Sequence, residues 1–415
     1  MRWVLPVTLV IGVICSGTVA DLRFEKKRLT DAFHCEGATA GDFNRDGKMD
    51  VVAGPFWYAG PTFDVRHEYA PVKAFDPAHG YSDNFFAFTH DFDGDGWTDV
   101  LIIGFPGTTA AWYENPRGAA DGHWRRHLIV EGALDNESPT FTDLTGDGKP
   151  ELVYHTRGRL GYAAPDPADP RKPWTFHPLS TRGERAQFTH GLGVGDVNGD
   201  RRADVIEHDG WWEQPASLAG DPLWVLHAQP LGNGGSQMHA YDVNGDGRND
   251  VITALTAHEF GLAWFEQYRE GKEIKFRQHI IINKDPGESA YGVKFSEIHA
   301  VALVDMDGDG LEDIVTGKRF WSHGRTGDPD RNDAAVLYWF KLVRKADKSV
   351  DYIPYLIDNE SGVGTQVVAG DINADGLPDI VVGNKRGTFV HMHHRKNVSH
   401  EEWLKAQPRA GDVQR

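Results

Sequence analysis

Short runs of β-branched and aliphatic residues recur along the chain, each directly after a polar loop of alternating acids and amides. Asp50-Val-Val, Asp99-Val-Leu-Ile, Asp204-Val-Ile, Asp250-Val-Ile, Asp313-Ile-Val and Asp379-Ile-Val-Val are too short for helices. They are rich in side chains that pack on a pleated surface, so they predict strands. A second, aromatic strand follows each, as in Phe56-Trp57-Tyr58, Trp112-Tyr113, Trp211-Trp212, Trp264-Phe265 and Tyr338-Trp339-Phe340. A third, polar-alternating run follows that, as in Arg66-His67-Glu68-Tyr69 and Lys275-Phe276-Arg277-Gln278-His279. With the strand that enters each loop, every repeat holds four strands, and such units repeated radially are propeller blades.

The loops begin at Asp42, Asp91, Asp143, Asp196, Asp242, Asp305 and Asp371, so there are seven repeats of roughly 56 residues. The pattern predicts an all-β fold, a seven-bladed β-propeller of four-stranded blades spanning 21–394. The seventh repeat lacks a last strand, because the chain runs into a charged tail after His391. Leu22 to Leu29 has the missing alternation and is expected to close the ring, removing exposed edges. Ser399, with Glu402 three residues on, is a capping-box signature and predicts one short helix in the tail, 395–415.

The loops carry readable chemistry. Oxygen side chains at loop positions 1, 3 and 5, Gly at 6, a carbonyl at 7 and an acid at 9 suit the hard oxygen shell of Ca²⁺. The candidate ligands are Asp42, Asn44, Asp46 and Asp50; Asp91, Asp93, Asp95 and Asp99; Asp143 and Asp147; Asp196, Asn198, Asp200 and Asp204; Asp242, Asn244, Asp246 and Asp250; Asp305, Asp307, Asp309 and Asp313; and Asp371, Asn373, Asp375 and Asp379. EF-hands would place a bidentate Glu at position 12. Those positions are Ala53, Ile102, Tyr154, Glu207, Thr253, Thr316 and Val382, and strands follow instead of helices. The third loop has Thr145 and ends in Glu151, and the fourth has Arg201 where the turn favours Gly, so weaker metal binding is expected in both.

Charge fits this picture. The formal net charge of −18 is a strong self-repulsion for a compact fold, and much of the acidity sits in the loops. It argues against nucleic acid as a partner. Residues 1–20 combine Arg2, an apolar run from Trp3 to Cys15 and the small-residue site Thr18-Val19-Ala20, which reads as a secretory signal peptide and a secreted or periplasmic location. The run is short of the roughly 20 residues that span a bilayer, and no later segment qualifies. Cleavage would leave Cys35 as the one thiol, so Ca²⁺ is expected to replace disulfides as the staple.

The seven Asp-x-Asp/Asn-x-Asp-Gly-x-x-Asp-Val/Ile units, with Val52-Ala53-Gly54-Pro55, resemble the FG-GAP/VCBS repeats of integrin-α-type propellers. That resemblance implies calcium loops on one face, ligand contacts on the other, and a protein- or glycan-binding module. A second resemblance is to the propeller of the aldos-2-ulose dehydratases, through Trp112 to Pro116 followed by Trp124-Arg125-Arg126-His127, and through His299 six residues before Asp305. It implies a carbon–oxygen lyase acting on an oxidised sugar by β-elimination. The cupin domains of those enzymes have no counterpart in this sequence.

Opposite the calcium loops lie the starts of the inner strands. Six residues before each loop stand Glu36, Phe85, Glu137, His190, Ser236, His299 and Thr365, so His and Glu concentrate at one level. His190, His299, Glu36, Glu137 and His239 are therefore candidate catalytic residues, as an acid–base set or as ligands of an additional divalent metal. The alternative is a hydrated channel lining without chemistry. His34, Arg157, Lys318, Arg319, Trp321 and Arg386 are candidate ligand-binding residues, several of them in a basic rim that also holds His258, His323 and Lys385. Such a rim would attract a carbohydrate or small anionic ligand.

Overall fold

The computed structural model describes residues 18–118, 122–181, 183 and 187–410. β1 (Thr18–Thr30) leads into a meander of β2 (Ala38–Gly41), β3 (Asp50–Ala53), β4 (Phe56–Ala59) and β5 (Val65–Glu68). The next meanders are β6 (Phe86–His90), β7 (Asp99–Ile103), β8 (Thr108–Glu114) and β9 (Arg125–Leu134), then β10 (Thr140–Thr142), β11 (Glu151–Thr156), β12 (Arg159–Ala164) and β13 (Thr175–Pro178). There follow β14 (Leu192–Gly195), β15 (Asp204–Glu207), β16 (Gly210–Glu213) and β17 (Val225–Ala228), and β18 (Gln237–Tyr241), β19 (Asp250–Ala254), β20 (Leu262–Glu270) and β21 (Glu273–Ile282). β22 (Val301–Val304), β23 (Asp313–Gly317), β24 (Leu337–Arg344) and β25 (Val350–Asp358) precede β26 (Val367–Gly370), β27 (Asp379–Asn384) and β28 (Gly387–Ser399). A helical turn, α1 (Gly324–Gly327), interrupts the β23–β24 connection, and α2 (His400–Ala406) follows β28.

The fold is an all-β propeller. Its inner strands follow one another around an axis, β26 against β2, β2 against β6, and β18 against β22. Phe88 on β6 meets Phe141 on β10 at 5.6 Å between ring centres. The expectation of seven separate blades is corrected, because five sheets are separate four-stranded blades and the remaining eight strands form one sheet. There β14 and β18 pair in parallel at Leu192–Gln237 and Gly193–Met238. Gly193 permits the approach, since a Cβ on it would stand 1.9 Å from the Met238 carbonyl oxygen.

β1 pairs antiparallel with β28 from Thr18–Ser399 to Thr30–Thr388 and is the outer strand of the sheet β1-β28-β27-β26. The expected end of sheet structure near 394 is also corrected, since β28 continues to Ser399 along its β1 partner. Of the expected leader, residues 1–17 lie outside the described residues, and Thr18 to Ala20 form the start of β1. Ser399 Oγ caps α2 by accepting from the Glu402 N–H at 3.2 Å. Among the described residues no helix is long and apolar enough to cross a membrane.

The sequence pattern explains the packing. The strands after the loops are buried on both faces, with Val51, Val100, Val205, Val251, Ile314 and Ile380 at 0 % exposure. The aromatic strands present a ring on which the outer strand lays a second ring: Trp57 on His67 at 4.1 Å, Trp112 on His127 at 4.5 Å, Trp211 on His227 at 4.1 Å and Trp264 on His279 at 4.3 Å. Three of these histidines also meet a third-strand glutamate, Glu114, Glu213 or Glu266.

Candidate functional site

Two kinds of site emerge, at opposite ends of the inner strands. At one end stand the seven loops. The first acid of each folds its own loop: Asp242 Oδ1 accepts from the Gly245 and Asp246 N–H groups and Oδ2 from Gly247. The ninth acid is buried and locks the loop to its sheet. Asp250 accepts from the Val243 N–H at 3.0 Å and the Gln267 N–H at 2.7 Å, and Asp50, Asp99, Asp204, Asp313 and Asp379 repeat the pattern. Burial, with the neighbouring loop acids adding to it, pushes Asp99 and Asp313 up to about 8 and Asp204 and Asp250 to about 7.

This donor set fits a hard cation. Ligand oxygens of Asp91, Asp93 and Asp99, of Asp143, Asp147 and Glu151, and of Asp305, Asp307 and Asp313 lie within 4.8 Å of one another in each trio. Asp307 Oδ1 is buried without a hydrogen-bond partner. The third loop, expected to be weak, thus gathers its carboxylates as closely as two complete ones, whereas in the fourth Arg201 takes φ +71°, strained for a side chain. Glu207, at position 12, instead bonds His155 Nε2 and Trp212 Nε1, both at 2.6 Å. Basic side chains already neutralise some loop acids, Arg117 on Asp95, Arg171 on Asp93 and Lys341 on Asp307 and Asp309.

At the other end, on the axis, side chains from several sheets converge. Arg319, just after β23, reaches Glu36 before β2 at 2.5 Å and Glu137 before β10 at 3.4 Å. Its guanidinium lies over the rings of Phe85 and Tyr81. Glu36 also accepts from the Ser82 backbone and hydroxyl, both at 3.2 Å. Glu137 Oε2 stands 3.3 Å from His190 Nε2, without hydrogen-bond alignment. His190, His258 and His299 surround one point, their ring centres 4.7 to 5.5 Å apart, and His323 adds a fourth ring 4.2 Å from His258. Glu297 Oε2 lies 3.4 Å from His258 Nδ1 and 3.7 Å from His299 Nδ1.

The electrostatics of this hub are set by burial. Burial alone would raise Glu137, yet His190 and Arg319 hold its carboxyl down to about 2. His299 is pushed well below the ordinary imidazole value by burial and then by Arg319, His258 and His190, so it is neutral near pH 7. Burial, with Arg319 beside it, lowers Lys385 to about 8, and its Nζ donates to the Trp321 carbonyl at 2.9 Å. Glu297 holds its backbone at φ +60°, pinned by its N–H to the Glu259 carbonyl and by its own carbonyl to the Arg319 N–H. Strain so fixed marks a position where the side chain's aim matters.

Glu36, Glu137, His190 and His299 therefore meet, and Arg319 joins them. His239 does not: it is turned away, its Nε2 on the Val301 carbonyl at 3.0 Å. His34 is bound to the Lys73 carbonyl, and Arg157 lines a separate surface groove with Arg159 and Phe176. The basic rim is corrected, because Lys318 and Arg319 are buried and paired. Lys318 bonds Asp330 and Ser296 and anchors the β23–β24 loop. Trp321 stacks on Phe320, and Arg386 caps the same ring while bonding the Glu360 carbonyl.

The sequence places His258 and His323 in the rim, not among the candidate catalytic residues, and leaves Glu297 out of both. Glu297 carried a signal, standing two residues before His299, but His258 and His323 sit on loops where no periodicity aims a side chain. A groove of about 960 Å³ between β1, β25 and α2 is lined by Trp339, Tyr355 and Trp403 and by none of these histidines.

An FG-GAP-like repeat model matches residues 91–154 and 242–316, and an FG-GAP repeat model matches 363–397. Those three segments carry FG-GAP-like repeats. The matches cover the second, third, fifth, sixth and seventh loops. No curated protein matches the chain. Among solved structures, the chain is similar to an Agrocybe aegerita lectin in a study of its recognition of non-reducing terminal N-acetylglucosamine, at 16 % identity and a TM-score of 0.48 over 90 % of this chain and 86 % of that one. It is also similar to BBS1N, solved in complex with ARL6DN, at 10 % identity and 0.46 over 88 % and 93 %. A Photorhabdus luminescens Tc holotoxin pore matches at 16 % identity and 0.37, over 85 % of this chain and 16 % of that one.

Proposed function

We propose that this chain is an exported, calcium-braced propeller whose axial hub binds a carbohydrate. In this reading the eight-stranded sheet acts as two blades joined at their inner strands, so that seven repeats each contribute a calcium loop at one end. The observation that carries the proposal is the convergence of Glu36, Glu137, His190, His299 and Arg319, from separate parts of the chain, at the other end. Carboxylates, imidazoles and the face of Tyr81 are the groups that hold sugar hydroxyls and ring faces. Binding is placed ahead of β-elimination, because an imidazole held as low as that of His299 is a weak proton acceptor.

The FG-GAP matches favour a second reading, an integrin-like module that engages a protein or glycan over its outer surface. The two part in one experiment. A panel of neutral sugars, uronates and oxidised sugars is titrated into the calcium-loaded protein by calorimetry, with enone absorbance followed in parallel. Hub binding predicts a ligand lost at least tenfold in His190→Ala and His299→Ala. A ligand whose affinity survives both substitutions moves the site to the outer surface.

A further inference from the structure

The hub contains more ligating chemistry than sugar recognition needs. One ring nitrogen from each of His190, His258 and His299 lies within 4.8 Å of the others. His258, Glu297 and His323 form a second such trio through the shared His258. Two buried atoms around this point have no hydrogen-bond partner, His299 Nδ1 and Glu297 Oε1, and His190 Nε2 stands 3.3 Å from Glu137 Oε2 without hydrogen-bond alignment. His299 is 2 % exposed and Glu297 0 %, so water does not relieve them. An orphaned buried polar atom costs about 1–3 kcal/mol, more for a charged group, and their grouping in one cluster of imidazoles calls for a common partner.

We propose that His190, His258 and His299, closed by Glu297, bind one divalent transition-metal ion of the zinc class. Zinc–nitrogen bonds near 2.0–2.1 Å put tetrahedral ligands ~3.4 Å apart, so the side chains need shift by only about an ångström each. Imidazole nitrogens select Zn²⁺ and its neighbours over the Ca²⁺ of the all-oxygen loops. The charge also fits, since Glu36 and Glu137 pair with Arg319 while the Glu297 carboxylate lies against the imidazoles of His258 and His299, leaving room for a dication. His323 is exposed at the mouth, so that side of the ion stays open to an exchangeable ligand. If the hub binds a carbohydrate, as the preceding proposal has it, a sugar hydroxyl or carboxylate would take that position.

The test needs no sugar. The intact, calcium-loaded protein is titrated with Co²⁺ as a spectroscopic probe and then with Zn²⁺. The expected result is one equivalent of Co²⁺ with visible ligand-field absorption, displaced by Zn²⁺. His258→Ala, on a half-exposed loop, and His299→Ala weaken it at least tenfold, while His239→Ala and His279→Ala leave it unchanged; circular dichroism verifies folding. Absence of saturable Co²⁺ uptake by the wild type, or uptake indifferent to both hub substitutions, overturns the metal site. Sugar binding by protein that takes up no Co²⁺ would defeat the metal and leave the pocket standing. Co²⁺ binding with no sugar bound at the hub does the reverse.

Discussion

At the scale of single residues, the hub shows how burial sorts similar side chains into different roles. Arg319 is 2 % exposed and survives there because Glu36 and Glu137 both pair with it. A lone buried charge would cost several kcal/mol. His391 on β28 has no such partner. It is 0 % exposed, with Nε2 on Ser361 Oγ at 3.1 Å and Nδ1 unpaired. Burial pushes its pKa down to about 4, Lys26 adding to the effect and Asp358 opposing it. The unfolded chain takes up a proton on this ring near its ordinary 6.5, the folded chain only near 4. Stability on this account is complete above pH 6.5 and is lost as pH falls from 6.5 towards 4, by roughly 2–3 kcal/mol. His391→Gln should therefore lose less stability than the wild type between pH 7 and 4.5, measured by urea unfolding in excess calcium. Equal losses in the two proteins would remove His391 from the acid response.

At the scale of elements, the unit is the loop and the strand it feeds. The ninth acid is a β-sheet clamp in its own right, because its two oxygens take the N–H of the loop's second residue and an N–H from the third strand. Asp250→Ala would leave the Val243 and Gln267 N–H groups unpaired in a buried place. A loss of about 3 kcal/mol is expected even without metal, since each orphan costs about 1–3 kcal/mol; a denaturant midpoint unchanged in EGTA would show that Asp250 matters only through calcium. This is also where legibility in the sequence can be judged. Loop spacing and the β-branched runs place the strands, and Glu36, Glu137, His190 and His299 share one level because they share one offset from their loops. His239, three residues from its loop instead of six, breaks that offset and turns to Val301. The parallel pairing of β14 with β18 rests on the close approach at Gly193, which no strand pattern encodes. His258 and His323 reach the hub from loops, and Lys318 is drawn into the interior by Asp330, a partner fixed only by the fold.

At the scale of the whole molecule, closure and charge are one problem. β1 pairs along β28 and ties the first described residues to the last sheet, itself becoming that sheet's outer edge. Against this works a formal charge of −18, concentrated in loops whose acids face each other at one end of every sheet. Arg117, Arg171 and Lys341 offset part of it, but Asp307 Oδ1 remains buried and unpaired, and Asp99 and Asp313 are pushed towards their protonated forms. A dication in each loop would relieve that repulsion while leaving the backbone clamps in place. A site filled at a hundredfold excess over its dissociation constant adds about 2.7 kcal/mol, so several together add on the order of 10 kcal/mol. EGTA should accordingly lower the melting temperature by roughly 10 °C or more, and readdition of Ca²⁺, but not of Na⁺ at equal ionic strength, should restore it. Metal analysis of the calcium-loaded protein should find at least about five Ca²⁺ per chain, as the oxygen sets of the loops allow. Two or fewer, or a melting temperature indifferent to EGTA, would mean that the loops hold their shape through their own hydrogen bonds and basic partners, and the brace would then be the clamp formed by the ninth acid alone.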